Sequence, residues 1–374
     1  MGLKGKGFFI WKIAECEGGD PKKIAQVAQQ AGLTHILIKI ANGIYAYNYD
    51  WDRLIDLCPP VVAALKERGI QVWGWHYVYG ASPAQEAAIA IRRVKELELD
   101  GYVIDAEHHY KAQANNKAAA KTFMRDLRAG LGANIPVALS SYRFPAYHRE
   151  LPWNEFLEKC DINMPQVYWM QAHNAGQQVT ACLRAFETAS FIQHQRPIIP
   201  TGAAFTEHGW TPTASDVLEF LETTRQLNLP AANFWEWSSA RNVIDINIWN
   251  TIKEFAWDSE GPSPLPDDIT KRYIDALNSG DVERVVSLYT PSAVHVTSSR
   301  TVNGATAIRS WYNTMLNRLF PSGIFSLTGY SGSGASRHFT WTVISPQGRV
   351  LNGNDTLGLV GDRIVYHFSL FTIN

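Results

Sequence analysis

Gly101-Tyr-Val-Ile-Asp-Ala-Glu107 is the stretch on which the reading of the first two thirds of this chain turns. Its apolar run has the length and composition of a buried strand, and it finishes in two carboxylates spaced i, i+2. Side chains on a strand alternate faces, so Asp105 and Glu107 point the same way, with Cα atoms roughly 6.5–7 Å apart. Neighbouring acids in a partly apolar mouth push one pKa up, which readies one of them to act as an acid near neutral pH. The plainer reading makes Asp105 a helix cap and Glu107 half of a surface ion pair. The position of the strand in the chain argues against it.

Outward from this strand, strand and helix alternate. Phe8–Ile13 reads as a first strand; Asp20-Pro21 then caps a helix that runs to about Ala31. Further strands are expected at His35–Ala41, Gln71–Val78, Tyr102–Glu107, Pro136–Ser141, Ile162–Trp169, Pro197–Gly202 and Ala232–Trp237, with helical stretches between them. Eight such units over residues 1–257 match the usual ~250-residue length of an α/β (β/α)8 TIM-type barrel. A doubly wound sheet is the weaker alternative, because no glycine-rich phosphate loop follows the first strand. In a barrel the active residues sit at the C-terminal ends of the strands. Those positions hold Lys12, Glu15, Lys39, Asn42, His76, Tyr77, Asp105, Glu107, Ser141, Tyr142, Gln166, Tyr168, Glu207, Glu236 and Trp237. So many polar and aromatic side chains at one rim suit an enzyme mouth.

The alternation breaks at Trp257-Asp-Ser-Glu-Gly-Pro-Ser-Pro-Leu-Pro266, which reads as a stiff connector over 258–266. Beyond it, residues 267–374 read as helices at Asp267–Asn278, up to Tyr289 and at Ala305–Leu319, with a strand at Val294–Thr297. Strands at Ile324–Tyr330, Arg337–Ile344, Val350–Leu359 and Ile364–Thr372 complete a small α+β unit.

A net charge of -1 offers no basic surplus for nucleic acid or an acidic membrane surface, so neither is expected as a partner. The 13 Trp and 15 Tyr favour a ligand with flat faces, sugars included. No cofactor and no metal is expected, since His108-His109 beside the two acids matches no common ligand spacing. Cys16, Cys58, Cys160 and Cys182 form no C-x-x-C pair; Cys16 and Cys58 could pair in an exported protein. Phe8–Ala14 is too short for a signal peptide and contains Lys12, and no apolar run reaches the ~20 residues of a membrane span. A cytoplasmic protein is expected, or one exported by a route the sequence does not display.

Residues from about Gly7 to Trp257 resemble family 25 glycoside hydrolases, the lysozyme-like N-acetylmuramidases. The matching pieces come in order: Ile38-Lys-Ile-Ala-Asn-Gly43, Gly74-Trp-His-Tyr-Val78, Asp105-Ala-Glu107, Trp235-Glu-Trp-Ser-Ser239 and Val243-Ile-Asp-Ile-Asn-Ile-Trp249. The resemblance implies cleavage of a β-linked amino-sugar polymer of the peptidoglycan type. Glu107 would be the general acid, and Asp105 would assist the substrate's own N-acetyl group, one of the exceptions to the two-carboxylate scheme. Asp245 would be a third carboxylate; its other reading is the cap of the last helix. Lys39, Trp75, His76, Tyr77, Tyr142, Gln166, Tyr168, Glu207, Glu236 and Trp237 would bind substrate, with Trp169 a further stacking candidate. The chain departs from the family at its first strand, where Gly7-Phe-Phe-Ile-Trp-Lys12 carries no acid, and at Asn42 and Glu236, where the family has Glu and Gln.

The C-terminal residues resemble the cone-shaped nuclear transport factor 2-like fold, which includes polyketide-cyclase-like proteins. Ile274-Asp-Ala-Leu-Asn-Ser-Gly-Asp-Val-Glu283, Leu288-Tyr-Thr-Pro-Ser-Ala-Val-His295 and Val302-Asn-Gly-Ala-Thr-Ala-Ile308 carry that likeness. It implies a cone pocket, here lined by His295, Trp311, His338, Trp341 and Asp355, in a ligand-binding or homodimerising accessory unit. Two other readings stay open: a barrel that binds carbohydrate without cleaving it, and small-molecule chemistry in the cone.

Overall fold

Eight strands follow one another around a closed parallel barrel: β1 (Gly5–Ile10), β2 (His35–Asn42), β3 (Gln71–Val78), β4 (Gly101–Ala106), β5 (Val137–Tyr142), β6 (Ile162–Gln166), β7 (Thr201–Ala203) and β8 (Ala231–Trp235). Closure comes from β1, which pairs in parallel with both β2 and β8. The structure is a computed structural model and describes residues 2–257, 268–332 and 334–373. The chain divides into two compact units, Met1–Asp258 and Ser259–Asn374. The connector expected at 258–266, and Asp267 of the helix expected after it, lie outside the described residues.

Helices α1 (Pro21–Gln30), α2 (Cys58–Lys66), α3 (Pro83–Glu96), α4 (Asn116–Leu131), α5 (Trp153–Leu157), α6 (Ala175–Glu187) and α7 (Ala214–Gln226) separate successive strands; α8 (Trp237–Asn242) and α9 (Ile246–Glu254) follow the last. Local chemistry starts several of them. The Asp20 carboxylate accepts the Lys22 and Lys23 N–H groups ahead of α1, with Pro21 at the first helical position. Thr213 and Asp216 make a reciprocal capping box on α7.

Strand alternation sorts side chains into two cores. Phe8, Ile36, Ile38 and Ile104 point outward and are buried with helix residues such as Ile24, Val61, Leu65 and Phe123. Phe9, Leu37, Trp73, Trp75, Val103 and Met164 point inward and form a separate interior cluster. Large inward groups are accommodated by glycines on the strand beside them. A Cβ on Gly7 would lie 2.2 Å from the His35 ring, and one on Gly101 would lie 2.4 Å from the Trp73 ring. His35 is fully buried, and its Nε2 meets Asn233 Oδ1 at 2.7 Å. The first strand is tied to the last helix by Lys6. Its buried ammonium donates to the Ile252 and Phe255 carbonyls at 2.6 Å each, where the helix dipole favours a cation.

The first strand begins and ends earlier than the expected Phe8–Ile13, because Asn48 Oδ1 accepts the Ile13 N–H at 2.8 Å once the chain has left the sheet. The seventh is only three residues long, beginning near the end of the expected Pro197–Gly202 run, whose prolines lack the N–H that a ladder needs. All four cysteines are buried free thiols, Cys16 and Cys58 included.

In the second unit, α10 (Ile269–Asn278), α11 (Val282–Val286) and α12 (Gly304–Thr314) accompany strands β9 (Tyr289–Thr297), β10 (Thr301–Asn303), β11 (Ile324–Ser331), β12 (Ser336–Ser345), β13 (Gly348–Val360) and β14 (Arg363–Leu370). The sheet order is β10-β9-β14-β13-β12-β11, with β9 parallel to β14 and the other neighbours antiparallel. The helices bury Tyr273, Ile274, Ile308 and Tyr312 with inward strand residues Phe339, Trp341, Val343 and Leu357.

Gly101→Ala is expected to destabilise the barrel unit by about 1–3 kcal/mol, because the added methyl overlaps an indole that has no room to retreat. Chemical denaturation followed by tryptophan fluorescence measures it; an unchanged midpoint would mean that the interior is looser than described.

Candidate active site

The C-terminal ends of the barrel strands surround a cavity of about 620 Å³. Its floor is made by β4. Asp105 points inward from the strand and is 6% exposed; Glu107, one step past the strand end, lines the same cavity. Gln166, at the end of β6, donates its Nε2 to Glu107 Oε1 at 2.7 Å and to Asp105 Oδ1 at 3.3 Å. One amide therefore holds both carboxyl groups. Burial pushes the Asp105 pKa well above the ordinary carboxylate value, and the Glu107 charge and a hydrogen bond with Glu107 add to the rise. Asp105 therefore holds a proton more tightly than an ordinary carboxyl group does.

Lys39, inward on β2, is the cation in this cavity. Its Nζ lies 4.4 Å from the Tyr47 ring centroid and 4.7 Å from that of Trp75, with Trp11 and Tyr77 within 6 Å. Burial brings its pKa down to about 8 despite the opposing pull of Asp105 and Glu107. Tyr77 also reaches His109, its hydroxyl 2.8 Å from Nδ1. Trp75 holds its ring in place by donating Nε1 to the Ile10 carbonyl at 3.0 Å. Tyr168, Phe205 and Glu207 complete one side of the cavity; Trp11, Trp235 and Glu236 complete another. The Glu236 carboxylate is committed to α8, accepting from the Ser238 and Ser239 N–H groups and from Ser238 Oγ.

Several expected site residues lie elsewhere. His76 has the opposite parity to Trp75 and Tyr77, so it faces outward, fully buried, between the Tyr102 hydroxyl and the Gly43 carbonyl. Trp237 opens α8 beyond the strand end and packs against Phe8 and Trp249, with no exposure to the cavity. Trp169 is likewise buried, against Trp210 and Phe220. Asp245 is exposed and caps α9 through the Asn247 N–H at 2.9 Å, so it is not a third carboxylate of the cavity. Tyr142 lines an adjoining cavity that shares Gln166 and Tyr168 with the first. Trp11 and Trp235 were missed. Trp235 shares the parity of inward Asn233, which was a usable signal; Trp11 lies past its strand and gave none.

In the second unit, His295, Asp355, Trp311 and Trp341 are buried, whereas His338 is exposed on the outer face of β12, beside Thr356. Alternation again decides: Phe339 and Trp341 take the inner face, so His338 cannot. At the centre His367 bridges Asp355 Oδ2, 2.8 Å from Nε2, and the Tyr289 hydroxyl, 2.5 Å from Nδ1. Tyr312 and Tyr273 extend the network at 2.6 and 2.8 Å, and Ser369 donates to Asp355 at 2.6 Å. His295 stacks on His367 with centroids 4.1 Å apart, and neither of its ring nitrogens has a hydrogen-bond partner among the described residues. Burial, with His367 alongside, takes its pKa down to about 2, so it is neutral.

Residues 270–367 match the family model of the SnoaL-like domain. The C-terminal unit is a SnoaL-like domain of the nuclear transport factor 2-like fold. Solved structures similar to the SnoaL-like unit include a putative isomerase of the SnoaL-like family from Agrobacterium tumefaciens str. C58, at 25% identity over 28% of this chain and 94% of that one, with a TM-score of 0.25. A putative polyketide cyclase from Sinorhizobium meliloti aligns at 20% identity over 28% and 94% of the two chains, also at 0.25. The family match and the unit's own sheet order define its fold; these whole-chain scores add nothing to that. No curated protein matches the chain.

Asp105 supplies a sign-specific test. A raised carboxyl pKa means that the folded state binds the proton more tightly than the unfolded chain, so this contribution to stability is full below the unfolded value and is lost as pH rises toward the folded one. Asp105→Asn does not titrate. Its unfolding free energy relative to the parent should therefore improve steadily over a window that opens at about pH 4, the unfolded carboxyl value, and extends upward toward the raised folded one. Urea denaturation across that window measures the trend, and a flat difference would remove the proton from Asp105.

Proposed function

We propose that the barrel unit is a glycoside hydrolase of the family 25 kind, a TIM-type barrel that cleaves β-linked amino-sugar polymers resembling peptidoglycan. The observation that carries this reading is the Asp105–Glu107 pair, clamped by Gln166 on the floor of a cavity walled by Trp11, Trp75, Tyr77, Tyr168 and Trp235. Aromatic faces suit the apolar faces of sugar rings, and the cavity volume is in the range of known ligand sites.

The chemistry follows from the single proton of the pair. In the free site it rests on Asp105, held there by burial and by the neighbouring charge. Docking of the substrate's acetamido N–H onto Asp105 favours the ionised form of that group, and the proton passes to Glu107 through their direct hydrogen bond. Glu107 then gives it to the glycosidic oxygen as the bond to the anomeric carbon breaks. The acetamido oxygen attacks that carbon from the other side, and Asp105 stabilises the positive charge on the resulting ring. Water then opens the ring, with Glu107 taking its proton. Lys39 offsets the negative charge of the pair and favours the ionised form of Asp105 once its proton has moved, in a site without a first-strand acid.

As partner surfaces, we propose the polymer at the barrel mouth and a second copy of the chain at the SnoaL-like sheet. Ile344, Tyr366 and Leu370 are exposed on that sheet's strands. Light scattering should report a dimer that Leu370→Glu disrupts, and a monomeric parent would end the proposal.

Glu107→Gln should lower reducing-end release from peptidoglycan or chitin oligomers by at least ~10²–10⁴-fold with folding intact, the range expected for a lost general acid. Parent protein that is folded and binds these glycans without releasing reducing ends would make the barrel a carbohydrate-binding module.

A further inference from the structure

The cavity that adjoins the carboxylate site has the opposite electrostatic character. About 420 Å³ in volume, it is lined by Tyr142, Arg143, Phe144, Tyr147, His148, Gln166, Tyr168 and Met170, with no acidic side chain among them. The carboxylate cavity carries Asp105, Glu107, Glu15, Glu207 and Glu236. Gln166 and Tyr168 belong to both walls, so the two cavities abut along the mouth rather than lying on separate faces.

Arg143 is the telling residue. It is half-buried, and its guanidinium lies 5.0 Å from the Phe144 ring centroid, yet it makes no hydrogen bond and no ion pair among the described residues. A guanidinium loses hydration on burial and normally recovers the loss from a carboxylate, a phosphate or carbonyl groups. Here the desolvation lowers the pKa, opposed only by the buried Cys182 thiol and by no carboxylate. A second donor is set beside it. Lys111 Nζ donates to His148 Nδ1 at 3.0 Å, which leaves His148 neutral with its remaining N–H free to donate. The His148 ring is stacked on Tyr142 at 3.5 Å, so its orientation is fixed. An unpaired guanidinium, an oriented imidazole N–H and exposed Tyr147 together make a place for a flat ring that bears an anionic group.

We propose that this second cavity is a subsite for an acidic sugar unit of the polymer, with Arg143 as the residue that selects it. The proposal rests on the glycosidase reading only in taking one chain to cross both cavities. A carboxylate on the sugar ring and a carboxylate on an ether-linked substituent offer Arg143 the same two oxygens, and these sources are separated by experiment.

The test uses the full chain carrying Glu107→Gln, so that ligands are bound and not consumed. Calorimetric titrations compare neutral chitin oligomers with two acidic series of equal length: oligomers alternating N-acetylglucosamine with a uronic acid, and peptide-free oligomers alternating it with N-acetylmuramic acid. At least one acidic series should bind roughly 10-fold or more tightly than the neutral one, as expected for a charge-assisted contact. That preference should shrink with added salt, vanish in Arg143→Gln and persist in part in Arg143→Lys, with thermal melting confirming the fold of each. Equal affinity for neutral and acidic oligomers, or a preference that survives Arg143→Gln, overturns the subsite. Absence of turnover by the parent on every glycan overturns the hydrolase reading instead, and leaves the subsite to be judged by these affinities.

Discussion

Closing a parallel sheet on itself commits every second side chain of each strand to the interior, and the rest of the barrel unit depends on that commitment. Pairing of β1 with both β2 and β8 removes the free edges. The interior must then be filled, and Trp73, Trp75 and His35 fill it because Gly101 and Gly7 give way beside them. The same parity carried one turn further up the strands delivers Lys39, Tyr77, Asp105, Gln166 and Trp235 to the mouth. Core and site are successive layers of one alternation, so a shift of a single residue in β4 would turn Asp105 into the helix layer and bring Ile104 into its place.

The cluster at the mouth is expensive to bury. Two carboxyl groups and an ammonium withdrawn from water are tolerable only when paired, hydrogen-bonded and held near neutrality. Gln166 supplies the hydrogen bonds, the shared proton removes one negative charge, and Lys39 balances the other while resting on aromatic faces. This arrangement differs from one in which a first-strand acid completes the site, since β1 carries no acid and the nearest charged side chain at its C-terminal end, Lys12, lies past the strand. Lys12 is partly exposed there and is paired with Glu15 at 2.8 Å.

The SnoaL-like unit handles buried polarity by consuming it internally. Asp355, His367, Tyr289, Tyr312 and Tyr273 satisfy one another in a chain, which favours a rigid interior. His295, stacked on His367 and neutral, stays outside that chain with both ring nitrogens unpaired among the described residues. The sequence pointed to His295 and Asp355 but not to His367, because their meeting depends on the parallel pairing of β9 with β14, strands far apart in the chain.

What the sequence determined by itself was local: the eight-fold alternation, the caps at Asp20 and Thr213, and the shared face of Asp105 and Glu107, which follows from a spacing of two on one strand. Asp245 shows the limit of that locality, since an Asp two residues before an Asn at a helix start reads equally as a cap or as a site carboxylate. Only the tertiary structure could choose, and it chose the cap. It likewise sent His76 and Trp237 to the helix layer and His338 to the outer face of its sheet, and brought Trp11 and Trp235 to the mouth. Lys6 is the extreme case: its partners Ile252 and Phe255 lie at the far end of the barrel unit, and nothing around Lys6 announces them. Spacing fixes which side chains share a face. Which face becomes the interior, and which distant carbonyl or carboxylate meets a given charge, is decided by closure of the sheet, because only closure sets the register between strands.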